Sequence, residues 1–215
     1  MATATERSDT RRRRAEARRD VLAKALELAE ERPFRDITVD EIARAAGLSR
    51  SAFYTHFHDK HELLLAAVQE VADELYEMSE RWWSGEGAPA DRVRRALEGV
   101  VSVYAAHASL LRLATEVSTY DDEVREFWLG IVGRFIDDAD EHIRSEQAEG
   151  LIPPTVEARA TAEGLVWMAE RCCYVYLARG ERSPAEVKEA LVPVWTAALY
   201  PGVIPADELR PRPPQ

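Results

Sequence analysis

Residues 38–57 read TVDEIARAAGLSRSAFYTHF, and this stretch decides how the chain folds. Thr38 and Glu41 have the spacing of a capping box, in which each side chain bonds the backbone N–H of the other residue. The box predicts a short helix that ends near Ala46. Gly47 follows and can take the left-handed conformation that closes such a helix.

A third helix is predicted to begin after Ser49, whose hydroxyl is a good N-cap, and to end near His56. Two short helices joined by a tight turn are typical of a helix-turn-helix motif. Apolar side chains can hold the pair together from inside, and these are Ile42, Leu48 and Phe53. The polar side chains left outside can reach the phosphates or base edges of DNA. They are Arg50, Ser51, Tyr54, Thr55 and His56, with Lys60 at the start of the next helix.

The charge of the chain is unevenly distributed. The net charge of −11 at pH 7 argues by itself against a polyanionic partner. However, residues 1–60 carry 13 basic and 11 acidic side chains, whereas residues 61–215 carry 15 and 28. Only the first part is therefore suited to a polyanion such as DNA. Within it, residues 11–14 are four arginines, which fit either a solvated tail or an arm that contacts DNA.

Helical periodicity continues through the rest of the chain, without the alternation typical of strands. The predicted fold class is all-α, with a three-helix head that carries the helix-turn-helix motif and a six-helix body. The predicted helices span 15–31, 38–46, 49–56, 59–83, 90–106, 109–117, 121–149, 156–179 and 185–199. The predicted domains are a disordered arginine-rich arm at 1–14, a DNA-binding domain at 15–62, a body for ligand binding and dimerisation at 63–200, and a mobile tail at 201–215.

The composition argues against membrane-spanning, secreted and disulfide-rich proteins. No apolar run approaches the ~18 residues of a membrane span, and no apolar segment follows the N-terminal arginines as a secretion signal would require. The two cysteines, Cys172 and Cys173, are adjacent and cannot form a disulfide framework. We therefore expect a cytoplasmic protein without a membrane partner.

The helix-turn-helix stretch resembles the TetR family of transcriptional regulators. The resemblance covers residues 20–65, and its most specific motifs are Ile37–Ala43, Ala46–Ser49, Phe53–Phe57 and Asp59–Lys60. It implies DNA binding, with four side chains on phosphate: Thr38, Ser49, Tyr54 and Lys60. It places three further side chains in the major groove: Arg50, Ser51 and Thr55.

The body domain resembles that of the mycobacterial ethionamide-resistance repressors, a branch of the same family, through Trp128 and residues 167–171. This resemblance implies a small-molecule pocket. The predicted pocket residues are Tyr104, Trp128, Val132, Phe135, Val166, Trp167, Ala169 and Cys172. Val166 and Ala169 stand where the related repressor has asparagines, so we expect a neutral, apolar or aromatic effector held mainly by burial. The same aromatic residues also suit an ordinary packed core.

The last two predicted helices have more apolar positions than one core can use. In the final helix these positions are Val187, Ala190, Leu191, Val194, Trp195 and Ala198. A helix that is apolar on two sides is buried on two sides. The pattern therefore predicts a homodimer with a four-helix interface, two helices from each chain. A larger monomeric core is the alternative.

The fourth predicted helix has apolar residues at heptad spacing, which predicts that it packs along another helix. The repeating positions are Leu64, Val68, Val71, Leu75, Met78 and Trp82. This helix leads from the head into the body, so we expect it to carry a signal between them.

Other chemistry is less well supported. Asp138 and His142 share a helix face but lack the second pair that a metal centre in a bundle needs, so a solvated face is favoured. Cys172 and Cys173 are better explained as small buried hydrophobes than as a redox switch. No Gly-rich phosphate loop, nucleophile elbow or paired His motif occurs, so we expect no enzyme, no cofactor and no metal.

The sequence thus favours a repressor that binds an inverted-repeat operator on double-stranded DNA as a homodimer. A small neutral hydrophobic or aromatic effector is expected to release it. Two alternatives remain open. One is a helical bundle that binds a small molecule without binding an operator, and the other is a helical enzyme that uses the acidic cluster around residues 137–142.

Overall fold

The computed structural model describes the backbone of residues 4–83 and 87–202 and the side chains of residues 15–76 and 87–202. Within these ranges the chain is all-α and has no strand, as the sequence predicts. The helices are α1 (Ala4–Glu31), α2 (Val39–Ala45), α3 (Arg50–Phe53), α4 (Lys60–Trp83), α5 (Pro89–Ala106), α6 (Ala108–Val117), α7 (Asp122–Ala148), α8 (Ala158–Cys172) and α9 (Pro184–Leu199). A 3₁₀ turn, Phe34–Asp36, follows α1, and a π-helical segment, Cys173–Leu177, follows α8.

The first helix begins earlier than predicted, at Ala4 rather than Ala15. It extends into the segment that the sequence assigned to a disordered arm, because that segment contains helix-forming Arg, Ala and Glu and lacks Gly and Pro. The side chains of residues 1–14 lie outside the described part of the chain, as do residues 203–215 of the predicted tail. Contact between the arginines and DNA stays a prediction.

Two other helices end earlier than predicted. α3 ends at Phe53 rather than near His56, and the chain continues as a turn in which His56 N–H donates to Phe53 O at 2.8 Å. α8 ends at Cys172, and in the π-helical segment Ala178 N–H donates to Cys173 O at 3.1 Å, five residues back. Helical periodicity cannot distinguish these variants, since they differ only in which carbonyl each N–H selects.

The chain divides into two compact units. The head unit comprises Met1–Glu70 and Ser109–Phe127, and the body unit comprises Val71–Ala108 and Trp128–Gln215. The head unit therefore includes most of α6, which the sequence assigned to the body. Within the head unit, His61 Nδ1 lies 3.5 Å from Asp121 Oδ2, which connects the start of α4 with the residue before α7.

The head unit has a core of fully buried side chains from several helices. They include Val21, Ile42, Phe53, Leu64 and Val68, each at most 2% exposed. The heptad pattern predicts that Leu64 and Val68 face inward, and their burial confirms this. Val71, at the start of the body unit, is also buried, with 4% exposure. Met78 and Trp82 lie outside the described side chains.

The body unit buries a polar network beside its apolar core. Glu146 of α7 is 3% exposed and forms an ion pair with Arg92 of α5 at 2.5 Å. His142 Nε2 lies 3.3 Å from the same carboxylate, and Tyr200 OH donates to it at 2.5 Å. Burial alone would raise the pKa of Glu146, but hydrogen bonds from His142 and Tyr200 and the charge of Arg92 lower it below its ordinary value. The network joins α5, α7 and the residue after α9.

Candidate DNA-binding surface and effector-binding body

The start of α2 has the capping box that the sequence predicts. Thr38 N–H donates to Glu41 Oε2 at 2.9 Å, and Glu41 N–H donates to Thr38 Oγ1 at 3.3 Å. Glu41 Oε1 accepts from Arg32 Nη2 at 2.6 Å. Hydrogen bonds from the backbone of Thr38 and then from Arg32 lower the pKa of Glu41 to about 2. The charged carboxylate therefore holds the start of α2 against the residue that follows α1.

The turn between α2 and α3 depends on Gly47, whose φ of +69° lies in the left-handed region. Leu48 N–H donates to Ala43 O at 2.8 Å and closes the turn. Ile42 from α2 and Phe53 from α3 are both 0% exposed. These contacts confirm the predicted helix-turn-helix motif.

Six of the eight residues predicted to bind DNA are exposed. We call them the recognition surface, and they are Thr38, Ser49, Arg50, Ser51, Tyr54 and Thr55. Three of their hydroxyls are bonded to the backbone of the motif itself. Thr38 Oγ1 accepts from Glu41 N–H at 3.3 Å, Ser49 Oγ accepts from Ala52 N–H at 3.1 Å, and Thr55 Oγ1 donates to Ala52 O at 2.7 Å. These bonds orient the hydroxyls before any DNA is bound.

Arg50 supplies the positive charge of the recognition surface. Its side chain is 64% exposed, and Nη1 lies 3.0 Å from Asp40 Oδ2. Its Nη2 donates to Tyr54 OH at 3.4 Å. This hydrogen bond and then the charge of Asp40 raise the pKa of Arg50. Because exposed ion pairs contribute at most about 1 kcal/mol, Arg50 can exchange Asp40 for DNA at low cost.

His56 differs from the recognition surface because it is half-buried. Its backbone carbonyl accepts from Arg18 Nη1 at 3.1 Å, and the Arg18 guanidinium lies 4.3 Å from the centre of the Phe57 ring. Arg18 therefore ties α1 to the turn after α3. Sequence reasoning grouped Arg18 with the basic arm and missed this contact, which joins residues 38 positions apart.

Lys60, a predicted phosphate contact, bonds the backbone of the head unit in the structure. Its ammonium donates to three backbone carbonyls, those of Phe34 at 2.6 Å, Arg35 at 3.0 Å and Ile37 at 2.7 Å. An ammonium group has three N–H donors, so all of them are used. Burial lowers the pKa of Lys60, opposed by nearby carboxylates. Lys60 therefore fastens the start of α4 to the 3₁₀ turn and the residue after it, and its phosphate contact stays a prediction.

The predicted effector residues all belong to the body unit and are shielded from solvent. Four are buried, with exposures of 5% for Tyr104, 9% for Trp128, 4% for Val132 and 6% for Ala169. Four are half-buried, namely Phe135, Val166, Trp167 and Cys172. Such burial fits a pocket lining and a packed core alike, so the pocket stays a prediction.

One aromatic contact of the body unit was not predicted. The ring of Phe135 stacks on Tyr76 with centroids 4.2 Å apart, and the Arg134 guanidinium lies 3.9 Å from the Tyr76 ring centre. Tyr76 OH donates to Ile131 O at 2.8 Å. Burial raises the pKa of Tyr76 to about 12. Tyr76 lies next to Leu75 of the heptad pattern, which did not predict that Tyr76 stacks on Phe135.

A cleft of about 560 Å³ lies in the head unit rather than among the predicted effector residues. It is lined by residues of α1 and α4 and by Phe57, and Arg18 forms part of its wall. None of the predicted effector residues lines this cleft.

The features set aside in the sequence have ordinary structural partners. Burial raises the pKa of Cys172, and it raises that of Cys173 to about 12. Since the thiolate is the reactive form, both cysteines fit the role of small hydrophobes. Asp138 lies four residues before His142 on α7. His142 faces Glu146, four residues after it, in the buried network of the body unit.

The comparisons with known proteins identify the class. The family model for bacterial regulatory proteins of the tetR family matches residues 21–67, the region of the helix-turn-helix motif. A second model, the C-terminal domain of the transcriptional regulator EthR, matches residues 93–201. The chain belongs to the TetR family of bacterial transcriptional regulators. These proteins bind DNA and dimerise, and they are not enzymes, so the expectation of a non-enzyme is confirmed.

Within this family, the body of the chain is of the EthR type. The chain is 31% identical over 192 residues to the HTH-type transcriptional regulator EthR of Mycolicibacterium smegmatis, covering 86% of each protein. It is 29% identical over 185 residues to EthR of Mycobacterium tuberculosis, covering 84% of this chain and 85% of that protein. The expected likeness of the body to this branch is therefore confirmed.

Solved structures show the same fold. A putative TetR-family regulator from Syntrophomonas wolfei has a TM-score of 0.75 at 16% identity and covers 89% of this chain and 99% of its own. One from Rhodococcus sp. has a TM-score of 0.71 at 22% identity, covering 86% of this chain and 99% of its own. No described helix is both long and apolar enough to cross a membrane.

Proposed function

We propose that this regulator is a cytoplasmic, ligand-responsive repressor that binds an inverted-repeat operator and is released by a small hydrophobic effector. The observation that carries the proposal is the recognition surface, whose six polar side chains are exposed on a helix-turn-helix motif with a closed apolar core. Exposed hydroxyl and guanidinium groups bond phosphates and base edges without any loss of core contacts.

The recognition surface divides into two roles. Thr38, Ser49 and Tyr54 contact phosphates and fix the position of α3 on the duplex. Arg50, Ser51 and Thr55 face base edges, and a guanidinium is the commonest reader of guanine. Lys60 and Arg18 are proposed to hold the motif in place, since Lys60 donates to three backbone carbonyls of the head unit and Arg18 Nη1 donates to another.

The DNA proposal is tested with the promoter region next to the regulator's own gene. In a gel shift with excess competitor DNA we expect a specific complex, and footprinting should show two protected half-sites related by two-fold symmetry. Binding that is no stronger than to competitor DNA would instead favour the alternative, a helical bundle that binds a small molecule and no operator.

The proposed dimer forms through α8 and α9. On α9, Val187, Leu191 and Trp195 are buried in the chain's own core, whereas Ala190 and Val194 are exposed, Val194 at 48%. The helix is thus apolar on both sides, as the predicted interface requires. On α8, Gly164 is exposed, and a Cβ placed on it would meet nothing within 4 Å in its own chain. This leaves room for a partner helix to approach closely.

The dimer interface is tested by charge on one apolar position. Val194→Asp should give a monomer of about 24 kDa in sedimentation at micromolar concentration, because an isolated carboxylate is costly to bury. Leu129→Asp is the matched control, since Leu129 of α7 is also 48% exposed and lies outside the proposed interface. A Val194→Asp dimer, or equal dissociation of both variants, would place the interface elsewhere.

The proposed effector is largely apolar or aromatic and binds beside Trp128. We expect 4-phenylbutan-1-ol, a neutral aromatic probe, to quench tryptophan emission on binding and Trp128→Ala to weaken its binding about tenfold. Trp83→Phe offers a control at a tryptophan of α4 that is not among the effector residues. Binding of the probe without any change in emission, or unchanged affinity in Trp128→Ala, would contradict the assigned site.

Release of the operator is proposed to act through α4. This helix is continuous from Lys60 to Trp83, and its residues up to Glu70 belong to the head unit while those from Val71 belong to the body unit. An effector that displaces the body half therefore moves the first turn of α4, which Lys60 fastens to the 3₁₀ turn before α2. The effector must favour one of two arrangements of the heads by its differential affinity.

A further inference from the structure

Glu170 of α8 is a buried carboxyl group that the fold does not satisfy. Its side chain is 8% exposed, and neither carboxylate oxygen has a hydrogen-bond partner among the described residues. The cation at hand is the neighbouring Arg171, whose Nε lies 3.7 Å away and whose own side chain is 58% exposed. That distance is too long for a hydrogen bond.

Glu146 is another buried acid of the body unit, and unlike Glu170 it has close partners. Glu146 receives an ion pair from Arg92 at 2.5 Å and a hydrogen bond from Tyr200 at 2.5 Å. A buried polar group without partners costs free energy, so its presence calls for an explanation. Burial raises the pKa of Glu170, and the charge of Arg171 opposes this shift.

The position of Glu170 on α8 connects it with the predicted effector residues. On a helix, residues three and four apart are neighbours, so Glu170 lies one turn beyond Val166 and Trp167. Its charge also acts on the fully buried thiol of Cys173, one turn further on. The side chain of Glu170 is 8% exposed within its own chain, whereas Gly164 of the proposed dimer surface is exposed. Its missing partner therefore belongs to the interior of the body unit.

We propose that Glu170 is the polar anchor of the effector site and that the natural effector joins an apolar body to one O–H or N–H donor, which bonds this carboxyl group. This inference rests on the proposed effector-binding function. It also resolves a gap left by the sequence, since Val166 and Ala169 provide no polar anchor, whereas the next residue on α8 does. The effector's donor replaces the partner that the fold leaves out.

Three probes with one carbon skeleton test the anchor: butylbenzene, 4-phenylbutan-1-ol and 4-phenylbutylamine. Their dissociation constants are measured by tryptophan quenching for the wild-type protein and for Glu170→Leu. We expect the wild type to bind at least one donor-bearing probe about tenfold more tightly than butylbenzene, and Glu170→Leu to lose that preference. Glu163→Leu, at an exposed position of α8, is the matched control and should keep it. A wild type without the preference, or a variant that retains it, would overturn the proposal.

Unfolding of the ligand-free protein gives an independent test. If Glu170 has no structural partner, Glu170→Leu should raise the urea midpoint, because an apolar side chain replaces an unsatisfied buried acid. A lowered midpoint would show that the carboxyl group supports the fold, and the anchor role would then be wrong. Failure of the wider proposal is distinguishable. A Glu170-dependent preference for donor-bearing probes, with operator affinity unchanged at probe saturation, would support the anchor and refute effector control of DNA binding.

Discussion

The head unit and the body unit use charged side chains in opposite ways. In the head unit, the charged groups bond the backbone near helix ends. Glu41 caps α2, and Lys60 donates to three carbonyls of the turn that precedes α2. In the body unit, charged groups are buried between helices that are far apart in sequence, as Glu146 and Arg92 are. The head is thus held in shape by bonds from charged side chains to its backbone, whereas the body depends on a few buried pairs of side chains.

The largest expected effect is on the buried pair of the body unit. Glu146→Ala should lower the free energy of unfolding by about 3–5 kcal/mol, because it leaves the Arg92 guanidinium buried without its partner. Arg92 is 13% exposed, so water cannot replace the carboxylate. Urea denaturation followed by circular dichroism measures the change. The control is Glu189→Ala, whose exposed pair with Arg94 should cost less than about 1 kcal/mol. Equal losses would remove the distinction between buried and exposed pairs.

A smaller loss is expected from the head unit's lysine. Lys60→Ala should lower the free energy of unfolding by about 2 kcal/mol, since three charge-assisted bonds to carbonyls are lost and water replaces them in part. Operator affinity should fall, but its dependence on salt should stay the same. Lys24→Ala, which removes an exposed lysine paired with Glu27, should change neither. A salt slope reduced by about one unit in Lys60→Ala would restore the phosphate contact that the sequence implies.

The capping box predicts a pH dependence of stability. The pKa of Glu41 is about 2 in the folded chain, below its ordinary 4.5. A lowered carboxylate pKa stabilises the fold above about pH 4.5, and this contribution is lost as the pH falls towards about 2. Glu41→Gln keeps the box but loses the charge. The stability difference between wild type and variant should therefore shrink as the pH falls through this range.

Thermal unfolding at several pH values measures that difference. Glu123→Gln, at an exposed position of the head unit, is the control and should show no such convergence. A difference that stays constant down to about pH 2 would mean that the charge of Glu41 adds nothing to the box.

The smallest effect on stability is expected at the exposed pair of Arg50 and Asp40. Asp40→Asn should change the free energy of unfolding by less than about 1 kcal/mol, because the Asp40 and Arg50 side chains are 44% and 64% exposed. It should nevertheless raise operator affinity a few-fold, since it removes a negative charge near the phosphates and frees Arg50. Fluorescence anisotropy with labelled operator measures this change. Weaker binding would indicate that Asp40 is needed to orient Arg50.

The two units also differ in what their sequence reveals. The helix-turn-helix motif could be predicted because its signals are local: the Thr38–Glu41 box, Gly47 and the Ser49 cap all act within four residues. The contacts of Lys60 and Arg18 could not, because they join residues 23 to 38 positions apart. The residue types suit DNA, but the sequence does not show that Lys60 and Arg18 also donate to backbone carbonyls of the head unit.

In the body unit, the sequence predicted which segments are helical and which residues are buried, but not which side chains pair with each other. Periodicity identifies Trp128 and Val132 as buried, and they are. It gives no information about which acid is satisfied, and so Glu146 and Glu170 look alike in the sequence. The distinction comes from tertiary contacts, since Arg92 and Tyr200 reach Glu146 from either end of the body sequence.

The central claim is that the exposed face of α3 reads the operator. The most direct test compares the wild type and Arg50→Ala on operators in which each half-site position is varied in turn. We predict that Arg50→Ala loses the preference at one base pair of each half-site, by about 1–3 kcal/mol, with the same change at the symmetry-related position. An unchanged pattern of base preference, with affinity lowered equally for every sequence, would contradict the claim and show that Arg50 contacts only the backbone of the DNA.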